Sequence, residues 1–419
     1  MANRRALSST AVPLFGALLG VLLSACSGSQ PAEPGAAAPT PATAPVATPE
    51  TTPAKVAAGA PSTELTKEKA ISEGPFGSVG GKEVKLYTLK NKNGLTLKVT
   101  NYGCIITELH VPDKAGKLGD IVLGYDKLDD YVKATPYFGS VIGRVANRIK
   151  NAQFSLDGKT IKLEANNDKN ALHGGKVGWD KVIWTAEPSE TPNGPSIKFS
   201  YVSKDGEEHY PGTVTAHNTY TLTNGNELKV EMDATTDKAT PVSMAHHTYW
   251  NLSGQDSGVI TGEELTLFAD QYTPGPNATD PVPDGKVKAV KGTAFDFTAP
   301  KLIGKELKEA GGKPVGFDAN WIVKGDPHAL RPVAKLKDPK SGRVLELSAD
   351  QPGVQFYTGN FLDGSNKGKG GVVYQQYTGL CLESQKFPNS INVPAWKDEV
   401  ILKPGVTYKH TMIHKFSAE

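Results

Sequence analysis

The stretch Asn224-Gly225-Asn226-Glu227-Leu228-Lys229-Val230-Glu231-Met232-Asp233-Ala234 decides the fold class. Leu228, Val230, Met232 and Ala234 alternate with charged residues, so an extended chain puts all four on one face and the charges on the other. The Asn-Gly pair ahead of them is a hairpin turn signal. The same period of two recurs in Leu265, Leu267 and Ala269. Near the C-terminus Tyr408, His410, Met412, His414 and Phe416 again share a face. Asp157-Gly158, Asp284-Gly285 and Ser341-Gly342 mark turns between such runs. Helical periodicity is confined to two short segments, about 126–133 and 302–310. Many strands in one continuous pattern, with no strand–helix–strand rhythm, predict an all-β domain: one large antiparallel β-sandwich.

Composition agrees. The 419 residues are 38% hydrophobic and 21% charged, with 44 Gly and 30 Pro. That excludes a mostly disordered chain and a polytopic membrane protein, and it favours turns over long helices. Lys plus Arg number 46 against 44 for Asp plus Glu, so net charge gives no sign of a nucleic-acid partner. Three cysteines are too few for a disulfide scaffold. Cys104 and Cys381 sit in apolar strand contexts and read as buried thiols, with pairing open to them if the chain is exported.

The N-terminus reads as an address. Asn3-Arg4-Arg5 precedes an apolar run from Val12 to Leu23 that is too short to span a bilayer, so residues 1–25 are expected to be a cleaved export signal. The run ends in Leu23-Ser24-Ala25-Cys26, which resembles the bacterial lipoprotein box and implies lipidation of Cys26. Ser27 follows, where Asp would signal retention at the inner membrane, so the expected place is the cell envelope or periplasm, on the outer membrane where there are two. From 26 to 72 the chain is dominated by Ala, Pro, Thr and Gly, with no aromatic residue between Phe15 and Phe76. Such a stretch cannot offset the entropy of ordering and is expected to be a tether. The folded domain is expected over 73–419.

Several clusters could carry chemistry. Gly143-Arg144-Val145-Ala146-Asn147-Arg148-Ile149 sets two arginines and an amide among small residues. Leu172-His173-Gly174-Gly175 places a histidine before glycines that let a main chain approach a ligand closely. In Ala245-His246-His247-Thr248-Tyr249-Trp250 the adjacent histidines of a strand point to opposite faces, so only one can serve a given site. No zinc-type spacing accompanies them, and no metal is expected. Gly379-Leu380-Cys381-Leu382-Glu383-Ser384-Gln385 is an apolar strand carrying a carboxylate, with Cys381, Glu383 and Gln385 on one face. Each cluster alone is more often structural than functional.

In this order, together with Asn101-Tyr102-Gly103, Asp120 to Tyr125, Gly316-Phe317-Asp318 and Gln355 to Asn360, they resemble the aldose 1-epimerases, from about Val84 to Phe416. That family interconverts the α and β anomers of free hexoses, and the resemblance implies a large β-sandwich with the sugar in an open cleft. It implies Glu383 as the base at the anomeric hydroxyl and His247 as the acid at the ring oxygen. His173 and Arg148 would orient sugar oxygens, with Asn147 and Tyr249 beside them and Asp318 and Gln355 on other hydroxyls. Trp250 stands where relatives often have Phe, and Asn389 where they often have Asp, the latter expected not to matter for catalysis.

Mutarotation moves one proton off O1 and one onto O5, with no redox change, so no cofactor is expected. From unperturbed values of ~4.3 for Glu and ~6.5 for His, the carboxylate is expected ionised and the imidazole partly protonated at neutral pH. Two other readings compete. A non-catalytic sugar-binding lipoprotein would lack the acid or the base, and both are here. A hexose-6-phosphate epimerase would need extra basic residues. His110, His209, His217, His328, His410 and His414 carry no motif and read as structural or exposed.

Overall fold

The computed structural model describes residues 69–133, 136–277 and 280–419. The expected signal, Cys26 and the tether up to residue 68 lie outside the described residues. The first strand, Ile71–Val79, opens two residues ahead of the boundary drawn at 73, because Ile71 pairs with Leu89 of Lys82–Lys90.

The largest sheet has nine antiparallel strands, and the stretch that opened the sequence reading lies inside it. Glu227–Thr236 pairs with Val214–Leu222 on one side and Tyr408–Ala418 on the other. Leu228, Val230, Met232 and Ala234 are all buried, as the alternation predicts. Full burial of such a side chain contributes roughly 1.5–3 kcal/mol. A one-residue slip would drive Lys229, Glu231 and Asp233 into the core instead, which fixes the register. A five-stranded sheet from Ile71–Val79 to Leu118–Asp120 supplies Leu89, Leu97, Val99 and Leu109 to the same core.

Both short helical expectations shrink. The first becomes the α-helix Leu128–Lys133, which buries Leu128 and Tyr131. The second becomes a single 3₁₀ turn, Ile303–Glu306. Only Ile303 and Leu307 of that segment are buried, too little apolar surface to hold a longer helix.

A second five-stranded sheet positions the chemistry. Its order is Lys288–Ala289, Gln271–Thr273, Asp318–Ile322, Gly353–Tyr357, Cys381–Gln385. One face presents Trp321, Val354, Phe356 and Leu382 to the core. There Phe317 stacks on Phe356 at 5.3 Å and meets Phe297 edge-on at 5.1 Å. Close-packed rings of this kind leave the sheet little freedom to shift.

One buried carboxyl lies away from that sheet. Glu263 accepts the Leu252 N–H at 2.7 Å, while its other oxygen has no partner. Burial, with Asp338 adding to it, pushes its pKa up to about 8. A carboxyl raised on folding contributes stability that is complete below its unfolded value, roughly 4.3, and is lost as pH rises through the folded one. The Tm advantage of Glu263→Gln over the parent should therefore grow between these two values. Thermal melts across that window check it; an offset independent of pH contradicts it.

Candidate active site

The other face of the second five-stranded sheet carries two rows of largely buried side chains. Register places Asn320 opposite Gln355 and Gln355 opposite Glu383. It places Asp318 opposite Tyr357 and Tyr357 opposite Cys381. Directly opposed residues share a face, so strands far apart in sequence converge on one patch. Gln355 donates to Asp318 at 2.7 Å, and its own carbonyl oxygen is buried without a partner.

Against this patch lies the strand Ala245–His247, paired with Ser140–Ile142. Nε2 of His247 is 3.7 Å from Oε1 of Glu383, and the two residues are 4% and 2% exposed. His246 faces the other way, between the Tyr220 hydroxyl and Thr248, each at 2.9 Å, as strand alternation requires. The His173 ring packs edge-on to His247 at 5.1 Å. Its Nδ1 accepts the Asn147 N–H at 3.3 Å, which leaves Nε2–H as the donor.

Arg148 reaches the patch from Arg148–Ile149, a strand paired with Ala171–Leu172. Its Nε donates to Asn167 at 2.9 Å, and Nη1 is 3.8 Å from Asp318. Tyr249 donates its hydroxyl to the Pro136 carbonyl at 2.9 Å and lays its ring 5.2 Å from His247. Seven of the eight residues expected at the site line one cavity of about 180 Å³, and the eighth, Gln355, stands behind Asp318 and lines the wider cleft beside it. Drug-sized ligands take ~300–1,000 Å³, so the inner cavity suits one small ring. It opens past Arg148, Asp318 and Phe361 into a wider cleft of about 660 Å³.

The charge state differs from the sequence expectation. Burial pushes the His247 imidazole down to about 4, opposed only by a hydrogen bond to its own backbone carbonyl. Burial pushes the Glu383 carboxyl well above the usual range; Asp318 adds to this and Arg148 opposes it. His173 is held well below its ordinary value, by burial first and then by His247, Arg148 and Lys181. Burial thus shifts the pair towards its neutral form, with the shared proton on Glu383, and away from carboxylate and imidazolium. Solvent exclusion outweighs the attraction that would have separated the charges.

Other expectations are refined. Of the two arginines, Arg144 is structural: it donates to the carbonyls of Pro211, at 2.9 Å, and Lys204, at 2.7 Å. The glycines after His173 admit main chain and side chain rather than a ligand. A Cβ on Gly174 would lie 1.9 Å from the Gly143 carbonyl, and one on Gly175 would lie 2.1 Å from a Glu208 oxygen. Trp250 belongs to the core, beside His414 and Phe416. Asn389 is closer to the chemistry than expected. Its N–H donates to the Arg148 carbonyl at 2.9 Å and its side chain accepts the Lys150 N–H at 3.1 Å, so it clamps the strand that delivers Arg148.

Tyr137 was missed. Its ring lies 4.6 Å from that of His173 and 5.6 Å from that of His247, with the Lys181 ammonium 5.0 Å above it. Its one sequence signal is an aromatic in a loop just before Gly143. Tyr137, Asn147 and His173 all have positive φ, at 68°, 59° and 51°. Such backbone persists where surrounding contacts over-determine it, and it gathers at functional sites.

His173, His247 and Glu383 also bring one donor atom each within 4.8 Å of one another, a set that could hold a divalent cation. The Arg148 guanidinium bordering the same cavity opposes one, and Nδ1 of His173 is already engaged. The set fits proton transfer better.

A buried carboxyl–imidazole pair at one end of a cavity otherwise lined with hydrogen-bonding groups defines an acid–base site for a small polyhydroxylated ring. Comparison with known proteins agrees. The aldose 1-epimerase family profile matches residues 85–415. The chain is 45% identical to the galactose mutarotase of Bos taurus, over 83% of this chain and 99% of that protein. It is 32% identical to the aldose 1-epimerase of Escherichia coli strain K12, over 83% and 100%. Among solved structures, galactose 1-epimerase from Lactobacillus acidophilus superposes with a TM-score of 0.73 at 28% identity, covering 83% of this chain and 98% of that one. An aldose epimerase homologue from C. elegans gives 0.72 at 31%, covering 79% and 98%. The chain belongs to the aldose 1-epimerase family.

Proposed function

We propose that this epimerase interconverts the α and β anomers of free aldohexoses, glucose and galactose among them, with Glu383 and His247 exchanging one proton through the bound sugar. The observation that carries the reading is the burial of both groups 3.7 Å apart. Ring opening begins from carboxylate and imidazolium: Glu383 takes the O1 proton, His247 gives one to O5, and the C1–O5 bond breaks. The open aldehyde then faces a neutral acid and a neutral imidazole, which is the arrangement that burial favours. Low water access thus makes the imidazolium a stronger acid and the carboxylate a stronger base. Rotation about C1–C2 and the reverse transfers give the other anomer.

The remaining groups hold the ring. His173 Nε2–H and Arg148 donate to sugar oxygens, while Asp318, Gln355 and Asn147 take the other hydroxyls, and Tyr249 and Tyr137 wall the cavity. Arg148, the one Lys or Arg among the described residues that line the inner cavity, is already engaged by Asp318 and Asn167. Free sugars therefore suit the cavity better than phosphorylated ones.

Polarimetry on freshly dissolved α-glucose and α-galactose tests the activity. Glu383→Gln and His247→Asn should each lower the rate above background by ~10²–10⁴-fold. The free enzyme loses its base when the pair gains a second proton, so the acid limb of kcat/KM should fall towards about pH 4. An acid limb near the ordinary histidine value of ~6.5 contradicts this.

The enzyme is further proposed to act at the cell envelope, lipid-anchored through Cys26 with the Ala/Pro/Thr-rich stretch as its tether. The support is the sequence Leu23-Ser24-Ala25-Cys26 after a basic start and an apolar run. Cys26→Ser should move the protein from the membrane fraction to the soluble one. Retention of the variant on membranes contradicts the anchor.

A further inference from the structure

The thiol of Cys381 has no part in the scheme above, yet it touches the imidazole that carries the proton. Cys381 and Glu383 stand two residues apart on one strand and share a face. The strand rises ~6.6–6.8 Å over that interval, which is enough to straddle an imidazole ring. Sγ of Cys381 lies 3.5 Å from Nδ1 of His247, while the Glu383 carboxyl faces Nε2. One strand therefore supplies the neighbour of each ring nitrogen. Cys381 is fully buried and free, and the remaining ring walls are Tyr137, His173, Tyr249 and Tyr357.

We propose that Cys381 is a positioning residue: its sulfur accepts a hydrogen bond from Nδ1–H of His247 and so keeps Nε2 as the nitrogen that gives and takes the catalytic proton. The inference rests on the reading of His247 as the proton carrier. A neutral imidazole protonated at Nδ1 has an Nε2 lone pair and can accept a proton there. The opposite tautomer cannot, and to donate from Nε2 it would have to become an imidazolate. The backbone carbonyl of His247 is the second acceptor for the ring and works in the same direction. Sulfur suits the position because it is a weak donor, whereas a serine hydroxyl would readily donate to Nδ1.

Nitrogen-15 spectra of histidine-labelled full chain, free of sugar and assigned with His247→Asn, read the tautomer whether or not the protein turns over substrate. The parent ring should be protonated at Nδ1. Cys381→Ser should shift it towards the Nε2-protonated form and lower kcat by about tenfold with little change in KM. Cys381→Ala leaves the carbonyl as acceptor and should lose less kcat than the serine variant, although serine is the closer isostere. A parent ring protonated at Nε2, or ring-nitrogen shifts unmoved in Cys381→Ser, overturns the proposal. An inactive parent with an Nδ1-protonated ring would instead count against the mutarotase reading alone.

Discussion

A carboxyl and an imidazole shut off from water within hydrogen-bonding reach of one sugar ring set the terms for the rest of this structure. Left to themselves the two would separate into ions. Burial reverses that preference, and the reversal holds only while the surroundings keep solvent out and the rings in place. Arg148, on its strand beside the cavity, tempers the effect on Glu383, and Asp318 strengthens it. The site thus balances two opposed neighbours against one dominant desolvation.

The scaffold supplies rigidity from behind. Glu383 stands on a sheet whose other face packs its Trp321 and Phe356 against Phe297 and Phe317. His247 comes from a separate two-stranded ribbon, and its own carbonyl accepts the Gly139 N–H at 3.0 Å. The segments that carry Arg148, His173, His247 and Glu383 are distant from one another in sequence, so the constellation exists only once the long-range strand pairing is complete. A β-sandwich suits this task because its strands deliver side chains at fixed two-residue intervals.

The large sheet was legible in the sequence because one of its faces meets solvent, which leaves a clean alternation in strands such as Glu227–Thr236. The strand bearing Glu383 gave no such pattern. All five residues of Cys381–Gln385 are buried, so polarity could not mark its faces, and the resemblance to a family found it instead. Tyr137 sits in a loop without period and was invisible. The different fates of Arg144 and Arg148 could not be read from a shared motif, since only the folded chain decides which guanidinium meets backbone carbonyls. The sequence could suggest that burial would raise the Glu383 carboxyl but not how far, since desolvation is a property of the assembled cavity and not of the residues that form it.

Isotope-edited infrared spectroscopy of the sugar-free protein at neutral pH addresses this claim most directly. Glutamate-labelled protein should show the C=O stretch of a protonated carboxyl that is missing from Glu383→Gln and remains in Glu263→Gln. A Glu383 signal found only as ionised carboxylate would contradict the neutral pair and the proton path built on it.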